Sequence, residues 1–232
     1  SGLLLYGMSL VYGFVGSTDF TAIGAGLSTG EGRNMGALFG LVFVFAGLAF
    51  KVSAVPFHMW TPDVYEGAPT PVSAFFASAP KVAAMGLFLR VALDAFQGLV
   101  ADWRQIVIFM SLASMFVGAV GAIGQSSIKR LLAYSSINNV GFMLIGLAAA
   151  SAAGASSVLL YLAIYLVMTL GAFLVVLALT DADGLAVETL DDLAGLARTR
   201  PWLATALSIF MLSLAGLPPL FGFMAKLAVF NA

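Results

Sequence analysis

No cysteine and only one histidine occur among the 232 residues. Without thiols the chain cannot form a disulfide, a thiolate metal site or an iron–sulfur cluster, and a single imidazole argues against a haem or polynuclear metal centre. Charge is also scarce. Only 9% of residues are Asp, Glu, Lys or Arg, against roughly a quarter in soluble domains. With 61% hydrophobic residues and a mean hydropathy of +1.05, the composition is that of an integral membrane protein. A net charge of −1 without a basic tail gives nucleic acid nothing to bind. No signal-peptide n-region precedes the apolar start, Ser1 is not an initiator methionine, and the last apolar run has no polar tail. The expectation is a central fragment of a longer polytopic protein, truncated at both ends.

Uncharged runs of the ~17–25 residues needed to cross a bilayer predict seven spans, at about 2–16, 35–55, 70–98, 104–124, 128–149, 156–180 and 201–230. The charge-free stretch from Leu131 to Thr180 is too long for one span and divides most naturally at Ser151–Gly154. Prolines interrupt the second span at Pro56 and the seventh at Pro218 and Pro219, and Pro80 is expected to kink the third. The fold class is therefore an all-α polytopic membrane protein with two broken helices, one transmembrane domain over 1–232. Loops after the even spans carry Lys129, Arg130, Arg198 and Arg200, and those after the odd spans carry Arg33 and Arg104. The even loops are thus expected on the cytoplasmic or matrix side. Residues 181–200 form the longest of them. There Thr189–Asp192 resembles a helix-start capping pattern, predicting a short surface helix with Leu190, Leu193 and Ala197 on one face. Glycines at 36 and 40, and at 118, 121 and 124, suit close helix packing.

Inside these apolar runs stand three lysines, Lys51, Lys81 and Lys226, each within eight residues of a proline. Intramembrane ammonium groups are costly and usually face a partner charge or a water-filled path. Proline frees backbone carbonyls that can bind ions or water. Lys81 lies about 16 Å into its span, too deep to snorkel easily, and desolvation there favours the neutral amine. Lys51 and Lys226 each lie beside a break, and paired interrupted spans mark inverted-repeat transporters. His58, two residues past Pro56, is a second relay candidate. Asp63 and Glu66 read as solvated acids or caps. Ser135, Asn138 and Asn139 share a helical face that serves either as interhelical glue or as polar lining. No acid lies inside a span; Asp94 ends the third, four residues from Arg90. A partner acid for the lysines must come from outside this sequence, or the lysines must spend much time neutral.

The runs Phe50–Val72, Arg130–Ser136 and Leu217–Phe223 resemble the subunit N branch of the antiporter-like proton-translocating membrane subunits of bacterial respiratory complex I. Trp60-Thr-Pro-Asp-Val-Tyr65 favours that branch over its L and M paralogues. The resemblance implies a 14-helix bundle containing two inverted five-helix repeats, in the bacterial inner membrane, beside other complex I membrane subunits including the paralogues. It implies proton translocation coupled to remote quinone reduction, with NADH, FMN, iron–sulfur clusters and quinone all in other subunits. Carried over, Lys51 is the switch lysine of the first broken helix, Lys81 the midplane link and Lys226 the lysine of the second broken helix. The family's key glutamate lies on an earlier helix. Asn139 departs from the pattern, standing where many relatives have histidine, and Pro80 replaces a small polar residue. Two alternatives stay open: a cation/proton antiporter or membrane hydrogenase subunit of the same family, and a structural scaffold whose lysines bind lipid headgroups or partner subunits.

Overall fold

A computed structural model of the chain describes residues 2–28, 35–179 and 187–232. These residues form eleven α-helices: α1 Gly2–Val15, α2 Phe20–Ser28, α3 Met35–Val52, α4 Trp60–Gly67, α5 Thr70–Arg90, α6 Val100–Ile123, α7 Ile128–Ala148, α8 Ala152–Ala178, α9 Leu196–Thr199, α10 Pro201–Ala215 and α11 Phe221–Phe230. A π-helical turn, Val91–Ala95, and a short 3₁₀ turn join α5 to α6. Five segments are long and apolar enough to cross a membrane: Met35–Val52, Thr70–Ala95, Gln97–Ile123, Ile128–Ala148 and Ala152–Ala178. Helix α1 has 14 residues and rises only about 21 Å. The expected seventh span is divided between α10 and α11. The molecule is thus an all-helical, polytopic membrane bundle with two interrupted helices.

Local chemistry sets the helix ends. Ser127 and Ser151 cap α7 and α8, accepting from the amides of Arg130 (3.4 Å) and Gly154 (2.9 Å). Proline supplies the first turn of α5 and of α10. The left-handed Gly216 (φ 87°) closes α10. Ser53 (φ 67°) closes α3 just before the cis Val55–Pro56 bond; Pro218–Pro219 is also cis. Pro80 does not end α5, which continues for ten more residues; it withholds only the amide that would bond the Phe76 carbonyl.

Helix α7 is the hub, touching α4, α5, α6, α8, α10 and α11. Its contact with α6 is antiparallel and glycine-dependent. A Cβ at Gly118 would lie 2.6 Å from the Asn138 amide nitrogen, while one at Gly124 would meet nothing within 4 Å. Gly124 therefore belongs to the end of α6 and not to the packing stripe anticipated from spacing. Gly118→Ala is expected to push α6 from α7 at a cost of about 1–3 kcal/mol. Gly124→Ala should stay within about 0.5 kcal/mol. The thermal midpoints of the two solubilised variants check this contrast.

Helix α2 was not anticipated: nine residues are too few for a span signal. Its start is nonetheless written locally, because Asp19 accepts from the Ala22 amide at 2.9 Å. It packs on the turn after α5, with Gly24 against the Asp94 carbonyl. In the long even loop, 180–186 lie outside the described residues. Beyond them Thr189 and Asp192 cap each other reciprocally (3.0 and 3.2 Å). The Thr189 hydroxyl, then its amide, hold the Asp192 carboxyl below its ordinary pKa. The expected short helix forms as two pieces, a 3₁₀ turn at Asp191–Leu193 and α9, separated by left-handed Gly195. Arg33, used for orientation, also lies outside the described residues.

Candidate functional site

Lys81 sits midway along α5 and is 2% exposed. Its Nζ donates to the Ser136 hydroxyl of α7. Ser136 in turn lies 2.6 Å from the Tyr165 hydroxyl of α8, which donates to the Ala77 carbonyl of α5 at 3.2 Å. Three helices therefore meet in one hydroxyl network at a buried amine. On its other side the Lys81 ammonium lies 5.3 Å from the centre of the fully buried Tyr65 ring on α4. Tyr65 and Thr169, one turn beyond Tyr165, bring further buried hydroxyls to this network, Tyr65 beside Ser136 and Thr169 beside Tyr165.

Lys226, half-buried on α11, folds back onto the second break. Its Nζ donates to the Ala215 carbonyl at 2.8 Å and the Leu214 carbonyl at 3.4 Å. These are carbonyls that Gly216 and the prolines leave without intrahelical amides at the negative end of α10. The same ammonium lies 4.4 Å from the Phe142 ring centre on α7. Ser136 and Phe142, which contact the two lysines, are six residues apart on α7, a rise of roughly 9 Å. One helix thus touches both amines. At this break Ser213 Oγ also accepts from the Gly222 amide at 3.0 Å.

Lys51 is placed differently. It lies in the last turn of α3 with its side chain exposed, because α3 buries Val44, Leu48 and Val52 and turns Phe50 and Lys51 to its outer surface. Among the described residues it has no ion-pair partner. At the first break Pro56 is exposed, the Val55 amide donates to Ser114 Oγ of α6 at 2.9 Å, and the Trp60 indole donates to the Phe50 carbonyl at 3.0 Å. His58 is partly buried beside the Pro56 backbone. Of the polar face read on α7, Asn139 is fully buried: it donates to the Ser135 carbonyl at 2.8 Å and accepts from the Tyr161 hydroxyl at 2.7 Å. Asn138 instead presents its backbone to Gly118.

The side chains of Asp63 and Glu66 are solvent-accessible, as expected of solvated acids, but they are also paired. Both bond Arg130 Nη1, at 2.7 and 2.8 Å. Ser136, Tyr65, Tyr161 and Tyr165 escaped the sequence reading. A signal existed in the i,i+4 pair Tyr161 and Tyr165, whose hydroxyls in an uncharged span need polar partners from neighbouring helices.

An apolar bundle with two broken helices, one lysine folded onto a break and another buried at midspan defines an antiporter-like membrane subunit. The chain belongs to the family described as NADH:quinone oxidoreductase/Mrp antiporter, TM, which matches residues 1–232. Over its full length it is 65% identical to NADH-quinone oxidoreductase subunit N of Sphingopyxis alaskensis, covering 48% of that protein. Among solved structures it is similar to a chain of respiratory complex I from Thermus thermophilus (TM-score 0.81, 36% identity, 99% of this chain and 48% of that one). It is also similar to a chain of the Mrp complex from Dietzia (TM-score 0.88, 27% identity, 99% and 42%). The chain spans about half the length of the curated relatives it matches. It is a multi-pass protein of the bacterial inner membrane.

Proposed function

We propose that this chain is part of a subunit that carries protons across the membrane within an NADH:quinone oxidoreductase. NADH, FMN, iron–sulfur clusters and quinone would be bound by other subunits, and neighbouring antiporter-like subunits would be its partners. The observation that carries the reading is the buried Lys81 amine, joined through Ser136 to Tyr165 across three helices. A buried amine with hydroxyls in line can accept and pass a proton. An anchoring lysine would place its ammonium at the membrane surface. In this reading Lys81 is the midspan station, Lys226 the station at the second break and Lys51 the surface-facing amine that exchanges with a neighbouring acid. His58 is proposed as a further relay group and the Ser135–Asn138–Asn139 face as polar lining.

Tyr165→Phe tests the network with minimal change of shape. In inverted membrane vesicles holding the assembled complex, it is expected to lower NADH-driven proton uptake about fivefold, the effect of roughly 1 kcal/mol, with NADH oxidation retained. Unchanged uptake would remove Tyr165 from the path. The likeness to the Mrp chain favours a second reading, cation/proton exchange. Uptake that follows an imposed metal-cation gradient and not NADH oxidation would support it.

A further inference from the structure

The strongest polar construction outside the lysine path lies where three even-side connections meet. Arg130, at the start of α7, places one guanidinium nitrogen 2.7 Å from Asp63 and 2.8 Å from Glu66 on α4, and its Nε lies 3.3 Å from the Gln125 side chain. Beside it Lys129, 5% exposed, donates to the Ala68 carbonyl just past α4 and pairs with Glu188, both at 3.3 Å. Two backbone bonds fasten the 187–190 strip to the start of α7: Ile128 amide to Glu188 carbonyl (3.1 Å) and Leu190 amide to Ser126 carbonyl (2.8 Å). The Ser73 hydroxyl of α5 holds the Tyr65 carbonyl at 2.7 Å.

Helix α4 has only eight residues, too few to be stable alone. Irregular backbone precedes it, and Pro69 and Pro71 follow. Its position must therefore be imposed by what it touches. Thr61 and Tyr65, one turn apart, are fully buried, while Asp63 and Val64 are exposed. One face thus carries the ring beneath the Lys81 ammonium and the other meets Arg130. We propose that Arg130, with Asp63 and Glu66, is a clasp that sets the height and rotation of α4 and so positions Tyr65 against Lys81, a role that rests on the proton-translocating reading. Arg130 is a positioning residue and touches no group in the path. A single exposed ion pair contributes little, but a guanidinium shared by two carboxylates and braced by a glutamine is a network whose members act together.

The test uses vesicles containing the whole complex, measuring protons taken up per NADH oxidised. Arg130→Gln, and separately Asp63→Asn with Glu66→Gln, should each lower that ratio roughly threefold or more by displacing α4. Electron transfer and subunit content should be retained. The combined triple variant should be no worse than either, because the clasp is already open. The charge swap Arg130→Glu with Glu66→Arg should recover part of the loss. A ratio unchanged in the Arg130 and carboxylate variants, or losses that simply multiply in the triple variant, overturns the clasp. Where Arg130→Gln fails to assemble, the carboxylate double variant and the charge swap decide by the same ratio. Lys81→Ala run alongside separates the two levels. Normal uptake there removes the proton path itself, whereas uptake lost in Lys81→Ala but kept in the clasp variants removes only the clasp.

Discussion

Lys81→Ala is expected to cut NADH-driven proton uptake by roughly 100-fold, the scale on which a positioned proton-transfer group acts, while the subunit still assembles. Assembly should survive because the substitution removes a buried amine together with its charge, and the partner hydroxyls keep each other: Ser136 and Tyr165 remain 2.6 Å apart, and Tyr165 still has the Ala77 carbonyl. No uncompensated charge is left behind, the usual source of large losses when a buried pair is broken. Lys81→Arg separates charge from titration. Guanidinium keeps the positive charge but does not release its proton in proteins. Arginine should therefore fail nearly as completely as alanine, even where it fits. Both variants belong in inverted vesicles, with a pH-sensitive dye reporting uptake, NADH oxidation measured in parallel and the subunit quantified by blotting. Uptake at the wild-type rate in Lys81→Ala would end the conducting role of this amine. Full activity in the arginine variant alone would assign it an electrostatic role without proton transfer.

The elements legible in the sequence were those that depend on one-dimensional signals. Apolar length gave the five long spans, the Ser151–Gly154 stretch gave the start of α8, and Pro56, Pro218 and Pro219 gave both breaks. The division of the long charge-free stretch at Ser151 follows from a capping serine and nearby glycine. What was not legible depends on which helix faces which. Ser135 and Ser136 are adjacent, and only the packing of α5 against α7 puts Ser136, and not Ser135, beneath Lys81. Tyr65 and Tyr165 look like ordinary interfacial or core aromatics until α4, α5 and α8 converge. Asp63 and Glu66 precede Arg130 by more than sixty residues, a separation no local rule spans. Lys51 shows the opposite limit. Its proline neighbour marked a break correctly, yet proximity to a break does not decide which side of α3 a residue occupies. The buried set Val44, Leu48 and Val52 does.

Lys226 carries the second large expected effect. Its ammonium is held by the Ala215 and Leu214 carbonyls and the Phe142 ring, so the break serves as a cation seat made of backbone oxygen. Lys226→Met keeps the length and apolar contacts of the side chain and removes the titratable amine; proton uptake should fall roughly tenfold or more. Gly216 provides an independent route to the same seat. At φ 87° a side chain is disfavoured, and a Cβ there would lie 2.8 Å from Lys226 Cδ and 2.9 Å from Nζ. Gly216→Ala should therefore displace an intact amine from its carbonyls, strain the turn by about 1–2 kcal/mol and reduce uptake less severely than Lys226→Met. This ordering distinguishes a proton station from a structural clip. A station needs both the amine and its placement, so uptake should follow wild type, Gly216→Ala, Lys226→Met in descending order with NADH oxidation maintained. If Lys226 only braced the end of α10, both variants would lose subunit content together and the protons moved per NADH by the surviving complexes would be unchanged, taking Lys226 off the path.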